Sequence, residues 1–277
     1  MDLISSVGRI NMSNSELRKK AFQIYKSHWK TLTLVSFIVF LMASIIYGVG
    51  LLSNILAGLI GLVPLAGVAV FIFSTLLYPI ITLGSSYVYL EAWRGKNPKF
   101  HKMFYLCASK KDWLNAILLG FIFNLIIRVV LLPTTLREFI TLSYAANFIL
   151  EIMSFVFGII FIWIVLRLAL APYLYNIGHS DNPINIIKAS YARMKGNVGT
   201  LIFFNISIWW WRIFAAAIPM WFYDMLRLLF GVEMQTNDMT TTLLYSGAAV
   251  LIIFLLAPYP LLAVAGYADG LIPPEKE

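Results

Sequence analysis

Three arginines, Arg128, Arg167 and Arg212, stand inside long apolar runs of the chain. A guanidinium at such a depth is expensive, so it lines a wet cavity, pairs with an acid or meets backbone carbonyls. Its planar fork of donors also suits phosphate and carboxylate. Counting about 1.5 Å of rise per residue, Arg128 falls toward the outer end of its run and Arg212 slightly outside the middle. Arg167 lies in the inner half of its own run. Acids on the outer side make Arg128–Glu151 and Arg212–Asp224 the expected structural ion pairs, whereas Arg167 has no acid at its depth. One reading is an interhelical cavity lined by Arg167 and Arg212, with Asn205 and Tyr173 near it and Arg128 as a third candidate ligand-binding arginine. Such a cavity would take an anionic headgroup or substrate. In the other reading each arginine snorkels, bonds a carbonyl near a proline kink, or pairs structurally.

Other chemistry-bearing types are sparse. His28, His101 and His179 lack the i, i+4 spacing and the acidic or cysteine company of a metal site. The one cysteine, Cys107, excludes an internal disulfide framework and a Cys-rich metal site. Trp209, Trp210 and Trp211 could stack a ligand beside Arg212, but consecutive helical residues point in different directions, which favours packing and interface anchoring. No phosphate-binding glycine loop, nucleophile elbow or histidine–glutamate metalloprotease pattern occurs, and the serines within the runs have no histidine at similar depth. The expectation is a protein that is not an enzyme, with no metal and no cofactor.

The elements that would hold these residues follow from composition. The 277 residues are 60% hydrophobic and only 12% charged, with a mean hydropathy of +0.82. A soluble domain carries about 25% charged residues, so the numbers exclude disorder and disfavour a soluble enzyme. Six stretches are long enough for a hydrocarbon core of about 30 Å: Thr31–Leu52, Leu62–Leu90, Trp113–Leu132, Ala146–Tyr175, Val198–Phe222 and Thr242–Ala268. The first begins after a polar, basic segment without a small-residue cleavage pattern, so it is expected to serve as an uncleaved anchor.

Charge fixes the orientation. Of 21 lysines and arginines, six precede Thr31, six lie in Arg94–Lys111, three in Lys188–Lys195 and one in the tail; the alternate loops hold only Arg137 and Arg227. This asymmetry places both termini in the cytoplasm. It also assigns the net charge of +8 to membrane sidedness, with no nucleic-acid partner expected.

The three cytoplasmic approaches look alike. Ser13 with Glu16 forms a capping box, while Asn97-Pro98 and Asn182-Pro183 place a cap before a first-turn proline. Thirteen residues after each cap stands a lysine, Lys26, Lys110 or Lys195. Apolar residues then mark three amphipathic faces: Leu17, Ala21, Ile24 and His28; Phe100, Met103, Phe104 and Cys107; Ile184, Ile187, Tyr191 and Met194. Ala171-Pro172-Tyr173 recurs as Ala257-Pro258-Tyr259, with Tyr78-Pro79 as a weaker copy. The fold class expected is therefore all-α: one membrane domain over 1–277, a six-helix bundle of three helical hairpins, each preceded by an in-plane amphipathic helix. Its units are 13–96, 97–181 and 182–270. Lys19, Lys26, Lys110, Lys188 and Lys195 would sit at the membrane surface, either recognising anionic lipid or a partner, or only orienting the bundle.

Ser15-Glu16-Leu17-Arg18-Lys19-Lys20-Ala21 followed by Lys26 and Trp29 resembles the N-terminus of a bacterial membrane family known by a domain-of-unknown-function label. Tyr89-Leu90-Glu91-Ala92-Trp93-Arg94-Gly95-Lys96 and Ile186–Gly196 resemble later segments of that family, in the same order. The family looks related to the membrane domains of some glycerophosphodiester phosphodiesterases, whose catalytic domain has no counterpart here. The resemblance implies six helices, the bacterial plasma membrane and lipid or envelope biology, and no catalytic residues. The function expected is binding or moving an anionic or amphiphilic molecule: a lipid, a lipid-linked precursor or an antimicrobial peptide. The alternative is an accessory subunit scaffolding another membrane complex. Partners are then membrane lipids and a further membrane protein.

Overall fold

A computed structural model describes residues 13–60, 68, 71–72, 74–139, 144–178, 182–207 and 257–272. The elements among the described residues are all helical. The first, α1 (Asn14–Ile60), opens on the expected capping box: the Ser13 amide donates to Glu16 Oε2 at 2.7 Å and the Glu16 amide to Ser13 Oγ at 3.3 Å. No loop separates its basic segment from its apolar one. Instead the helix runs through a single non-helical residue, His28, with φ −122° and ψ 22°. The Ser27 hydroxyl donates to the Ile24 carbonyl at 2.8 Å, the acceptor that the His28 N–H would use in a regular helix. A side chain inserted in the backbone ladder is a recognised cause of a kink without proline.

α2 (Tyr78–Trp93) ends at Gly95, whose φ of +76° lets the Gly95 and Lys96 amides turn back onto the Ala92 and Glu91 carbonyls. A 3₁₀ helix, Phe100–Ala108, follows. Here the expected start at Asn97-Pro98 is corrected, since residues 96–99 are not helical and helical geometry begins at Phe100. The amphipathic face changes with it. Three residues per turn align Met103 with Leu106, which are buried, and leave Phe104 and Cys107 exposed.

α3 (Lys110–Phe139) and α4 (Tyr144–Leu168) are long apolar helices. After a turn at Ala169–Leu170 come the short α5 (Ala171–Asn176) and α6 (Pro183–Arg193), the latter capped by Asn182, whose side chain accepts from the Ile184 amide at 2.9 Å. α7 (Val198–Ser207) and α8 (Pro258–Leu271) complete the set. Tyr78-Pro79, Ala171-Pro172 and Pro258 each open a helix directly after a turn residue, because proline fits a first helical turn, where its missing N–H leaves nothing unpaired.

On α6 the expected face holds only in part. Met194 is buried and Ile187 packs on the core, but Ile184 and Tyr191 are exposed and Pro183, Ile186 and Ser190 are buried. Small Ser190 allows close approach, and its hydroxyl donates to the Arg167 carbonyl at 2.9 Å.

Three helical stretches, Asn14–Ile46, Lys110–Val130 and Ile149–Asn176, are long and apolar enough to cross a membrane. The third has a mean hydropathy of 2.7 with no buried residue in its most apolar 18 positions. Phe155 on it is 71% exposed. A surface of that kind fits a membrane protein, in which lipid solvates the outward side chains. The other three expected spans fall partly outside the described residues.

The chain divides by packing into two compact units, one built on Ile38–Val88 and His101–Val198, the other on Gly8–Phe37, Tyr89–Phe100 and Gly199–Glu277. This division does not follow the boundaries of the three expected sequence units. In the first unit α3 packs on α4, and α6 packs on α3, α4 and α5. Its core gathers Ile80, Leu83, Leu106, Ala116 and Leu119. Gly84 lies so close to Met103 that a Cβ there would strike the Met103 backbone. In the second unit Trp93 covers Gly266, Lys20 Nζ sits 4.4 Å from the Trp93 ring, and Arg94 Nε bonds Asp269 Oδ1 at 2.8 Å.

Candidate functional site

Arg167 is a bolt between helices. Its guanidinium carbon lies 5.0 Å from the Trp163 ring centre and 4.8 Å from that of Tyr191, and Nη1 donates to the Tyr191 carbonyl at 3.3 Å. Trp163 is one turn before Arg167 on α4, and Tyr191 comes from α6. Both aromatic neighbours are thus occupied with the cation, a contact worth about 0.5–2 kcal/mol each. The Arg167 Nε is buried with no hydrogen-bond partner among the described residues. On α6, Arg193 Nη1 is likewise buried without one, and burial pulls that guanidinium's pKa below its ordinary value.

Arg128 is different. Its side chain is exposed, with the guanidinium carbon 5.8 Å from the Phe71 ring centre. It is the end of a stripe on α3 at spacing i, i+4, i+8: Gly120, Asn124 and Arg128. Each rung meets the segment before or at the start of α2. Gly120 leaves room for the Pro79 ring, which a Cβ would strike. Ser74 Oγ lies 3.4 Å from Asn124 Oδ1 and 3.1 Å from the Phe71 carbonyl, two acceptors for one proton. Asn124 Nδ2 donates to Gly120 O at 3.2 Å, and Phe71 also packs edge-on against Phe121 at 6.0 Å.

Beside this seam is a partly open cavity of about 470 Å³ within the first unit. Ala43 and Ile46 of α1 line it, with Pro79 and Leu83 of α2, Leu119, Gly120 and Phe123 of α3, and Phe161, Ile164, Val165 and Leu168 of α4. Its wall is apolar except for Ser74, Thr82 and Asn124. The volume falls in the range of about 300–1,000 Å³ typical of small-molecule sites. Arg167 is not among the residues that line this cavity.

No family model, curated protein or solved structure matches the chain.

The remaining expected residues disperse. Tyr173 is buried in the first unit, and Asn205 belongs to the second, where its amide bonds back to Leu201 O at 2.9 Å. Glu151 is exposed on α4. Arg212, Asp224, the tryptophan triplet and His179 lie outside the described residues. Lys19, Lys26, Lys110, Lys188 and Lys195 are all exposed. Among the described residues no three His, Cys, Asp or Glu side chains gather as metal ligands.

Sequence reasoning missed the seam and a polar hub at Asn176. There Tyr105 OH donates to Asn176 Oδ1 at 2.6 Å, and Asn176 Nδ2 donates to Leu83 O at 2.9 Å and Ser86 Oγ at 2.8 Å. The i, i+4, i+8 run of Gly120, Asn124 and Arg128 was the available signal for the seam. The hub joins residues 71 and 90 positions apart and leaves no local mark.

Proposed function

We propose that this chain is a non-enzymatic, six-span protein of the bacterial plasma membrane that binds or moves an anionic or amphiphilic molecule: a lipid, a lipid-linked precursor or an antimicrobial peptide. The observation that carries the reading is the apolar cavity of about 470 Å³ between helices whose outward faces are themselves apolar. Its wall offers a hydrocarbon chain burial while three polar side chains can orient the ligand. Both termini lie in the cytoplasm by the placement of the lysines and arginines. Three hairpin units are supported by helix starts at the three proline positions, and kinship with the domain-of-unknown-function family rests on the order of its motifs.

The test is lipid retention. Full-length protein purified in mild detergent should carry lipid detectable by native mass spectrometry, and Ala43→Phe, which fills the cavity, should lose it. Equal lipid retention by the two proteins overturns the reading. So does a lipid-free wild type that captures one reproducible membrane protein, the outcome expected of a scaffold.

A further inference from the structure

The cavity has a direction. On α4 its lining runs from Phe161 to Leu168, about 10 Å of axis at about 1.5 Å per residue, and Pro172 of α5 extends it past the turn. The α4 stretch alone is roughly a third of a hydrocarbon core of about 30 Å. The cytoplasmic end, at Leu83, Leu168 and Pro172, offers carbon atoms. Thr82 is also part of the wall, but its hydroxyl donates to the Pro79 carbonyl at 3.1 Å. The opposite end carries the Ser74–Asn124 pair, whose single hydroxyl proton serves two acceptors. An amide has two donors and two acceptor lone pairs, so Asn124 keeps capacity for a ligand beyond its bonds to Gly120 and Ser74.

One helical turn farther out on α3 stands Arg128. It is 18 residues beyond Lys110, or about 27 Å along the axis, which is the level of the opposite headgroups when Lys110 marks the cytoplasmic surface. Its guanidinium is exposed and steadied by the Phe71 face. An apolar hole, a polar rim and an exposed guanidinium thus follow one another outward along the Gly120–Asn124–Arg128 stripe. That order matches the parts of a phospholipid: acyl chain, ester linkage, phosphate.

We infer that the first unit holds one acidic phospholipid of the outer leaflet, with an acyl chain in the cavity, its ester region at Ser74 and Asn124, and its phosphate at Arg128. This rests on the proposed reading of a membrane-spanning binder with cytoplasmic termini. It places the anion at Arg128 and leaves Arg167 as an interhelical anchor. The Arg128–Glu151 pairing expected from the sequence makes the opposite prediction, since a neutralised Arg128 would confer no preference among lipids.

Full-length protein in detergent micelles is titrated with dioleoyl phosphatidylglycerol and, separately, with dioleoyl phosphatidylcholine, and bound lipid is counted by native mass spectrometry. Wild type should favour phosphatidylglycerol by about tenfold, because the choline cation of phosphatidylcholine offsets the attraction between its phosphate and the guanidinium. R128Q should weaken phosphatidylglycerol about tenfold and phosphatidylcholine, whose phosphate is already offset by its choline, by less, bringing the two lipids within about twofold. R128K should restore part of the preference, because a point charge replaces the fork. A43F, with V165F as a second filling of the same wall should one not fold, should weaken both lipids together.

If the filling variants bind both lipids as wild type does, the cavity reading itself fails. If they lose both lipids but R128Q keeps the tenfold preference, the cavity stands and the headgroup assignment is overturned. Displacement of phosphatidylglycerol by millimolar inorganic phosphate alone would mean a bare anion site, which overturns the assignment of the chain.

Discussion

Replacing Asn176 by leucine keeps the size of the side chain and deletes the hub that ties the 3₁₀ helix to α2 and α5. Three hydrogen bonds go: one accepted from Tyr105 OH at 2.6 Å and two donated, to Leu83 O at 2.9 Å and Ser86 Oγ at 2.8 Å. Each is worth about 0.5–1.5 kcal/mol net, and polar contacts in membrane proteins average nearer 0.6 kcal/mol. Leu83 O and Ser86 Oγ retain the bond between them at 2.8 Å, so the heaviest loss is the half-buried Tyr105 hydroxyl left without its acceptor. The expected destabilisation is about 2–3 kcal/mol. Reversible unfolding of the purified protein in mixed micelles, with rising mole fraction of denaturing detergent, reads it directly. Tyr105→Phe alone should cost about 1 kcal/mol, and the double variant should be less destabilised than the sum by about 1 kcal/mol. A loss under about 0.5 kcal/mol for N176L, or strict additivity with Y105F, would refute the hub. The same residues give a pH signature. Burial pushes the Tyr105 phenol well above its ordinary value, with Tyr175, Asp112 and Tyr87 adding to the effect. A raised folded pKa means that the contribution is complete below about pH 10, the unfolded tyrosine value. It is lost only as pH rises further, so the effect of Y105F should be flat from neutral pH to about 9.5.

Two glycines should respond in opposite order to helix propensity, which alone would make alanine better by about 1 kcal/mol. Gly84→Ala drives a Cβ into the Met103 backbone and should cost about 3 kcal/mol, whereas Gly266→Ala meets the Trp93 side chain, which can shift, and should cost about 1–2 kcal/mol by the same thermal or detergent assay. Either variant matching wild type would show that the helices approach less closely than described. At the N-terminus, the bonds from Ser13 hold the Glu16 carboxyl below its ordinary value of 4.5. The capping box should therefore be complete above pH 4.5 and open as pH falls through the lowered value, seen as faster hydrogen exchange of the Ser13 amide that donates to the Glu16 carboxylate. Equal exchange at pH 6 and pH 3.5, after correction for intrinsic rates, would contradict it.

Local signals were legible wherever one turn of helix decides the outcome. Ser13, Glu16, Asn182 and Pro183 specify caps through contacts two or three residues long, and the structure has them. The prolines at 79, 172 and 258 stand inside expected continuous spans, and each instead opens a helix directly after a turn residue. Amphipathic faces were less legible. The apolar-inside rule orients Leu17, Ala21 and Met194 correctly, but on α6 it also points to Ile184 and Tyr191, which are exposed, while Ser190 is buried. When lipid is the surrounding medium, hydrophobicity no longer separates inside from outside, and small size becomes the mark of a packed face.

The candidate site divides along the same line. The sequence by itself determined the material: long apolar stretches, lysines and arginines gathered between alternate stretches, and three arginines left within them. Those follow from transfer free energies, which each residue carries wherever it stands. Only the tertiary structure decided which arginine is engaged and which is exposed. Arg167 and Arg128 are the same side chain in similar runs, yet the first is clasped by Trp163 and Tyr191 and the second stands beyond a seam made by Pro79, Ser74 and Phe71. Neither Tyr191 nor Phe71 is near its arginine along the chain. A cavity is the space that packing leaves, so it belongs to the arrangement of helices and not to any segment of sequence.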